Sequence, residues 1–593
     1  MSAMLAPNDR ELLLDALRPD PGTTLDAAVG TTFTLDLEAL LLAPLAFALF
    51  ETDGATPDPT ALLAAIQQHA ERIALYCDAA HIRTRAEEQR LFVLLESTVL
   101  AVNAPLGGSF HPKLWVLRFR TPSGEHQHRV LVMSRNLTFD TSWDLVARFD
   151  QEPAGAPLGT SVADVVRTLA NVRPSALASS VADSVETATF SIPPPFHSAR
   201  LHATGFRRAA ADPIGQHTGT EALVISPFLT AARLAAIQSL GSRKRTLVSR
   251  PDELERLGAA ALTNWGTPLV LRENAQGDPA APDASDGLRG LHAKLFVSQS
   301  GDDTTWFLGS ANATTAAHTA NVEAFIELHG PTRKIGVAAL LDQTGDSVQF
   351  RALLEEFTVE NAAPQDATDE ELEDQRLEQL CRELAQRPAE VAVSVSQDGW
   401  DLAVRVGGPP IPLSPADRLS ARLVTTASWT PASHDSNPIA LLHVARSSEI
   451  TSLVALRLRG DLGVYRDLVI VATLIGAPED RLDQVLLDLV PDSRRFALLL
   501  FLMLAAGDHD MQSDGVTRRV LAASEPGPDA AHELDFPLFE SLVRTSAREP
   551  QRLIAIDRLI ARFSETEDGR SRLPEGLAVL WEAFHGLIPN GAP

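Results

Sequence analysis

Short apolar runs alternate with amphipathic segments along the first part of the chain and predict a layered α/β structure. Residues 30–35 are rich in β-branched side chains, and Asp36 can cap an apolar helix over residues 37–50. Further strands are predicted at 72–76, 90–102, 113–119 and 129–133, with a helix at 163–170. After the Pro-rich segment 192–196 the order returns, with strands at 222–225, 245–249, 294–298 and 305–308 and a helix at 230–239.

The last third of the chain has a different pattern. An acidic segment with helical period covers 366–384, and strict alternation around Asp398-Gly399 predicts a hairpin over 391–406. Strands are expected at 453–458 and 468–475, and helices at 481–489, 496–506 and 551–563. The predicted organisation is two lobes (1–195 and 196–360), a linker helix (361–385), a β-rich accessory domain (386–478) and a helical accessory domain (479–593).

Charge and composition narrow the classes of function. The chain has 77 acidic and 51 basic residues and a net charge of −26, so a phosphate-bearing substrate needs a locally basic cleft. Two cysteines, Cys77 and Cys381, provide neither a disulfide framework nor a Cys-rich zinc site and favour a cytoplasmic location. The longest apolar runs, 39–50 and 496–506, fall short of the roughly 20 residues of a membrane helix, so no membrane association is predicted.

Two sets of polar residues have the composition of a divided phosphate site. The first set is His111, Lys113, Ser134, Asn136 and Asp144, and the second is His292, Lys294, Ser310, Asn312 and Glu323. Residues i and i+2 of a strand share a face, so each histidine is expected to project beside its lysine. The Ser-x-Asn turn after the next strand can add hydroxyl, amide and backbone donors to the same phosphate oxygens. The acid further along each set can hold an Nδ1 proton, so that Nε2 faces the substrate.

One such set cannot both attack phosphorus and protonate the leaving oxygen, whereas two facing sets can. One histidine would form a phosphohistidine, while the other protonates the leaving group and then activates water. A single His-x-Lys is a common surface pattern, but two copies, each followed by a strand and a Ser-x-Asn turn, favour catalysis. Asp144 follows its asparagine at a shorter spacing than Glu323 does, which leaves a surface or helix-cap role open for it.

The two sets resemble the phospholipase D superfamily over roughly residues 30–329. The usual HxKxxxxD pattern would place aspartates at Arg118 and Gln299, and neither is present. This departure is similar to the tyrosyl-DNA phosphodiesterases and to a metal-independent restriction endonuclease branch, which the second set resembles most. Residues 134–145 look like bacterial phospholipase D-like proteins encoded beside helicases or in phage-defence loci.

The resemblance implies two α/β/α sandwich lobes with pseudo-twofold symmetry, in which His111 faces His292. It implies no metal and no cofactor, because the lysines and asparagines of both sets stabilise the charge on phosphorus. By analogy with relatives, His111 is the nucleophile and His292 the general acid.

Substrate contacts outside the two sets are expected at basic clusters and aromatic rings. Arg207-Arg208 and Arg243-Lys244-Arg245 can steer a phosphate backbone toward the cleft, although solvated surface is the alternative. Trp115 and Trp143 flank the first set, and either base stacking or core packing would account for them.

The leading hypothesis is a metal-independent phosphodiesterase that cuts DNA or another nucleic acid, acting in phage defence with a helicase or translocase partner. A phospholipase D that acts on lipid headgroups and a catalytically inactive binding module are the alternatives. The oligomeric state is left open, with a homodimer as one option, and the choice between DNA and RNA is not decided by the sequence.

Overall fold

The computed structural model describes residues 13–48, 59–139, 142–207, 212–272, 290–341, 350–359, 368–433, 435–505, 538–548 and 553–585. Arg208 and almost all of the predicted loop 274–290 lie outside these ranges. Within the described ranges, no helix has the length and apolar character needed to cross a membrane.

The first lobe is a mixed sheet with helices on its faces. Its strands are β1 (Thr24–Thr32), β2 (Leu35–Asp36), β3 (Ile73–Asp78), β4 (Ile82–Arg83), β5 (Val99–Val102), β6 (Leu114–Arg120), β7 (His126–Met133) and β8 (Val146–Ala156). Its helices are α1 (Leu13–Leu17), α2 (Leu37–Phe47), α3 (Pro59–His69), α4 (Gly159–Val172) and α5 (Ala176–Val185). The main sheet has the order β5-β3-β1-β6-β7-β8, and β2 pairs with β4 beside it.

The second lobe repeats this plan. Its strands are β9 (Ser198–Thr204), β10 (Glu221–Ile225), β11 (Lys244–Val248), β12 (Leu269–Leu271), β13 (Leu295–Ser300), β14 (Asp303–Gly309), β15 (Glu323–Pro331) and β16 (Leu354–Glu356). Its helices are α6 (Pro213–Gln216), α7 (Ala231–Ala236), α8 (Pro251–Leu262), α9 (Thr315–Thr319), α10 (Thr332–Ile335) and α11 (Val337–Leu341). In the order β16-β12-β11-β10-β13-β14-β15-β9, the run from β12 to β15 has the strand directions of β5 to β8 in the first sheet.

Alternating side chains divide each central strand between two cores, as the period of a strand requires. Leu114 and Val116 of β6 and Leu295 and Val297 of β13 enter one core that both lobes share. Trp115 on the other face of β6 enters a different core beneath α2 and α3. The shared core holds the two sheets together, and the predicted α/β class is confirmed.

The last third contains a helix, a β-sandwich and a helical region. α12 (Asp369–Ala385) begins with a capping box between Thr368 and Glu371. The sandwich strands are β17 (Ala389–Ser396), β18 (Gly399–Val406), β19 (Arg418–Leu423), β20 (Thr430–Ala432), β21 (Ala440–Val444), β22 (Leu453–Arg459), β23 (Tyr465–Val471) and β24 (Thr473–Ile475). They form two sheets, in the orders β21-β18-β17-β24 and β20-β19-β22-β23.

The following helices pack on the first lobe. They are α13 (Arg481–Leu489), α14 (Ser493–Ala505), α15 (Leu538–Arg548), α16 (Leu553–Glu565), α17 (Glu567–Ser571) and α18 (Leu577–His585). The apolar side chains of α14 join those of α2 and α3 in one core. This region therefore shares a hydrophobic core with the first lobe, while the boundaries of the domains stay a prediction.

One predicted element is wrong in type. Most of the predicted strand 90–102 is a 3₁₀ segment, Arg90–Thr98, and only Val99–Val102 is a strand. A short apolar run does not by itself distinguish a strand from a buried helical turn, and here tertiary packing decided.

Candidate active site

The two His-x-Lys segments occupy equivalent places, directly before β6 and directly before β13. The prediction placed each pair on a strand, but both segments are extended chain, and each strand begins one residue after the lysine. Lys113 Nζ donates to the carbonyl oxygen of His111 (2.9 Å), and Lys294 Nζ donates to that of His292 (2.5 Å). These contacts, rather than strand periodicity, fix each lysine beside its histidine.

The Ser-x-Asn turns lie at the same sheet edges, because β7 and β14 run antiparallel to β6 and β13. Asn136 and Asn312 are 4% and 8% exposed, and the side-chain oxygen of each accepts no hydrogen bond from a described residue. Buried polar atoms without partners are rare in folded proteins. These two atoms therefore mark a place where a bound polar group can complete the hydrogen bonding.

Backbone contacts join the two lobes directly at the histidines. The His111 amide donates to the carbonyl oxygen of Val322 (2.9 Å), and the His292 amide donates to that of Trp143 (3.0 Å). Val322 and Trp143 each precede the acid of their own set. The chain before each histidine is thus held against the chain before the acid of the opposite lobe.

The acids consequently pair with the histidines crosswise. His111 Nδ1 lies 2.9 Å from Glu323 Oε2, and His292 Nδ1 lies 2.8 Å from Asp144 Oδ1. The acid of one lobe holds the imidazole of the other, which differs from a pairing within each set. With an Nδ1 proton donated to each carboxylate, both Nε2 atoms are available to a substrate.

The two serines support the acids. Ser134 Oγ donates to Asp144 Oδ1 (2.9 Å), and Ser310 Oγ donates to Glu323 Oε2. Each hydroxyl also accepts from the amide that follows the acid, at 2.9 Å in both lobes. Both serines are fully buried, and their hydroxyls are engaged with carboxylates. The predicted contact of Ser134 and Ser310 with phosphate is not part of this arrangement and stays a prediction.

The site is an electrostatically strained cluster. Burial lowers the pKa of His111 well below its ordinary value, and the charges of Lys113, Lys294 and His292 lower it further. Burial, together with the charge of Lys294, likewise lowers the pKa of Lys113 well below the usual range, against the opposing carboxylates. The positive charge of these groups is unfavourable in so buried a cluster, and a bound anion would stabilise it.

The two acids differ in their protonation. Burial raises the pKa of Glu323 to about 7, and Lys113 with the neutral donors Ser310 and Asn321 only partly opposes that rise. Burial also acts to raise the pKa of Asp144, but the charge and hydrogen bond of His292 and the charge of Lys294 outweigh it, so this pKa lies below its ordinary value. Asp144 is thus the more firmly ionised partner.

Three residues beside His111, namely Asp78, His81 and Phe33, belong to neither motif, and the spacing of the motifs does not predict them. Asp78 Oδ2 accepts from the Phe110 amide (2.7 Å), and Asp78 Oδ1 accepts from His81 Nδ1 (2.8 Å). The ring of Phe33 lies 4.0 Å from that of His81 and 4.8 Å from that of His111, between centroids. These residues come from the ends of β1 and β3, so only the packing of the sheet brings them to the histidine.

Two more positioning residues lie in the second lobe. Asn321 Oδ1 accepts from the Ser109 amide (3.0 Å), and its Nδ2 donates to Glu323 Oε1 (3.3 Å). His318 Nε2 lies 3.2 Å from the Asn312 carbonyl oxygen. The sequence indicated these two residues only indirectly, because Asn321 and His318 lie shortly before the predicted site residue Glu323.

Most of the predicted basic contacts are not at the site. Lys244 begins β11 and pairs with Glu221 at the far end of the sheet from Lys294. Arg245 donates to the carbonyl oxygens of Gly241 (2.8 Å) and Asn264 (2.7 Å). The cluster Arg243-Lys244-Arg245 thus lies at the opposite end of the sheet from the site. In that position it does not line the cleft toward which the sequence prediction had it steer a substrate.

Arg207 differs from that cluster because it follows β9, whose last residue pairs with Glu323. It is exposed at the edge of the sheet that carries the site. Arg208 lies outside the described residues.

The two tryptophans pack internally. Trp115 is 1% exposed, and Gly30 of the neighbouring strand leaves room for it, since a Cβ there would lie 2.8 Å from the indole ring. Trp143 stacks on Phe350 with centroids 4.9 Å apart. Core packing therefore accounts for both rings.

Among the described residues, no group of three or more His, Cys, Asp or Glu side chains is arranged to hold a metal ion. Among the described residues of the two sets, Lys113 and Lys294 are the side chains that can bring positive charge to a bound phosphate, together with His292 when it is protonated.

Comparison with known proteins gives a distant likeness in fold. No family model and no curated protein matches the chain. Among solved structures, the yeast tyrosyl-DNA phosphodiesterase has a TM-score of 0.34 and 14% identity, over 56% of this chain and 87% of that one. A mutant form of the same yeast enzyme has a TM-score of 0.35 and 12% identity, over 54% and 85% of the two chains.

A polyphosphate kinase from Porphyromonas gingivalis has a TM-score of 0.30 and 14% identity, over 54% of this chain and 42% of that one.

Proposed function

We propose that this protein is a phosphodiesterase that cuts nucleic acid through a phosphohistidine intermediate. The observation that carries the proposal is the crosswise pairing of His111 with Glu323 and of His292 with Asp144. It places two imidazoles with free Nε2 atoms and two lysines in one cluster, which is what a two-step displacement at phosphorus requires.

The charge states favour distinct roles for the histidines. The strongly lowered pKa of His111 keeps its Nε2 unprotonated, as a nucleophile must be. Burial and the charge of Lys294 also lower the pKa of His292, but the charge and hydrogen bond of Asp144 oppose that shift. The pKa of His111 is lowered further, so His292 holds a proton more readily than His111, which suits the group that protonates the leaving oxygen.

In the first step the Nε2 lone pair of His111 forms a bond to phosphorus. The bond from phosphorus to the leaving oxygen breaks, and that oxygen takes the proton of His292. In the second step His292 removes a proton from water, whose oxygen displaces His111 from phosphorus. Lys113 and Lys294 stabilise the charge on the phosphoryl oxygens in both transition states, and the reaction is proposed to be independent of metal ions.

The test is hydrolysis of bis(p-nitrophenyl) phosphate and of labelled DNA and RNA strands in the presence of EDTA. We expect cleavage by the full chain, loss of it on every substrate in His111→Ala, and loss of strand cleavage and of repeated turnover of the small diester in His292→Ala. Cleavage that persists in both variants, or that needs an added divalent metal, would contradict the proposal. Headgroup release from phospholipid vesicles without strand cleavage would favour the lipase alternative.

A role in phage defence with a helicase or translocase partner is a further part of the proposal, supported by the sequence resemblance of residues 134–145. Phage plaque counts on cells that carry the chain with its neighbouring genes test it. Protection is expected with the intact chain and not with His111→Ala.

A further inference from the structure

An arginine and tyrosine row crosses one sheet of the accessory sandwich on its outward face. Arg418 of β19 pairs with Arg459 of β22, and Arg459 pairs with Tyr465 of β23. Directly paired residues project from the same face of a sheet. The neighbouring positions Leu419 and Leu458 point into the sandwich core, so the row lies on the opposite face.

The two arginines of this row have no acidic partner among the described residues. Arg418 Nη1 donates only to backbone carbonyl oxygens, at 2.9–3.0 Å, and Arg459 is exposed. Like charges directly opposite each other destabilise a sheet, and here they occur in a chain of net charge −26. An uncompensated pair of guanidinium groups on so acidic a protein indicates an anionic ligand.

Tyr465 gives the row an aromatic surface. Its side chain is 56% exposed, and the guanidinium carbon of Arg457 lies 4.9 Å from its ring centroid. Arg457 is itself fixed by two 2.7 Å hydrogen bonds to Asp467 and lies 4.4 Å from the ring of Trp429. The tyrosine ring is thus supported from one side and open to solvent.

The sandwich is held firmly against the first lobe, on the His111 side of the site. Arg422 of β19 donates to the carbonyl oxygens of Ala86 (2.9 Å) and Glu87 (2.8 Å). Glu378 of α12 lies 3.9 Å from Arg466, the residue after Tyr465, and 4.0 Å from His81. His81 in turn lies against Phe33, which contacts the ring of His111.

We propose that Arg418, Arg459 and Tyr465 form a platform for single-stranded nucleic acid that leads to the active site, an inference that rests on the proposed function. The guanidinium groups bind backbone phosphates, and the open tyrosine ring stacks on a base. A base in a duplex is already stacked and paired, so this combination selects an unpaired strand.

The experiment measures binding of a fluorescein-labelled single-stranded oligonucleotide to the full chain by anisotropy, in EDTA. All chains carry His111→Ala, so that the strand stays intact. We expect Arg418→Ala/Arg459→Ala to weaken binding about 10-fold and to reduce the slope of log K against log salt by about 0.7 per cation removed. The matched control is Arg333→Ala/Lys334→Ala, an equal charge change on the exposed α10, and it should change neither quantity.

The tyrosine provides a test that does not depend on charge. Tyr465→Ala should weaken binding about 10-fold, and Tyr465→Phe should restore it, because stacking requires only the ring. An equal loss in the α10 control, unchanged binding in Tyr465→Ala, or a duplex that binds as tightly as the single strand would each overturn the platform.

A second readout separates this inference from the proposed function. In chains with His111 intact, the platform variants should hydrolyse bis(p-nitrophenyl) phosphate at the unmodified rate, because that substrate is too small to reach the row. A chain that binds the strand as described yet does not hydrolyse the small diester refutes the proposed function and leaves the platform standing. The reverse outcome refutes the platform alone.

Discussion

The two halves of the candidate site contain the same types of residue and yet differ in charge. Each half has an imidazole that donates to a carboxylate of the other lobe, and each carboxylate is supported by a buried serine. Glu323 is fully buried, whereas the Asp144 side chain keeps 9% of its surface exposed. The carboxyl group of Glu323 accordingly has a raised pKa, whereas that of Asp144 has a lowered one.

This difference shows how a repeated fold can provide two different chemical roles. The lobes supply matching geometry, while the surroundings of each acid set its ionisation. The charges of His292, Lys294 and Arg135 lower the pKa of Asp144. Glu323 has mainly neutral hydrogen-bond donors apart from Lys113. In the proposed mechanism, one repeated arrangement would thus supply both a nucleophile and a general acid.

The largest expected effect separates the two histidines by leaving group. His111→Ala should lower the rate by about 10⁴-fold or more on every diester, because the nucleophile is lost. His292→Ala should be equally severe with a nucleotide leaving group but mild in the first step with p-nitrophenolate, which leaves without a proton. Burst kinetics and detection of phosphohistidine after a denaturing alkaline quench measure this, and a burst in His111→Ala but not in His292→Ala would reverse the roles.

The next effect concerns the acids and pH. The pKa of Glu323 is raised to about 7, so its carboxylate forms as pH rises through that value, and it then stabilises the positive charge that develops on His111. We expect kcat/KM to increase through pH 7 in the unmodified chain. Glu323→Gln should remove this limb and lower the plateau by about 10²-fold.

Asp144→Asn is the matched control for the acid at His292. Because the pKa of Asp144 already lies below its ordinary value, the limb near pH 7 should persist in this variant while the plateau falls. Loss of the limb in Asp144→Asn, or its persistence in Glu323→Gln, would show that the asymmetry is assigned to the wrong acid.

The smallest expected effect concerns Asp78, which supports the chain beside His111. Asp78→Asn keeps the size of the side chain but weakens its hold on the Phe110 amide and on His81. We expect a loss of about 10-fold in kcat with little change in KM, since a displaced nucleophile reacts slowly without losing substrate contacts. Thermal unfolding checks the fold, and an unaltered kcat would exclude a positioning role for Asp78.

Local patterns predicted much of this molecule because strands and turns depend on neighbouring residues. The hairpin around Asp398-Gly399 and the acidic helix α12 agree with the structure, as do the strands that follow the two His-x-Lys motifs. The prediction of a strand at Arg90–Thr98 was wrong, because an apolar run of this kind suits a strand and a buried helical turn equally well. The sequence also did not show where the basic residues 243–245 lie, since a charged residue can occupy either end of a strand.

The amino-acid sequence by itself determined the chemical groups of the site, since two spaced copies of His-x-Lys and Ser-x-Asn are visible without any coordinates. Only the tertiary structure decided which groups meet. His111 and Glu323 are 212 residues apart and His292 and Asp144 are 148 apart, and each contact is made where one lobe packs on the other. The ionisation of the acids was decided there as well, because burial and neighbouring charge are properties of the packed interface and not of the chain.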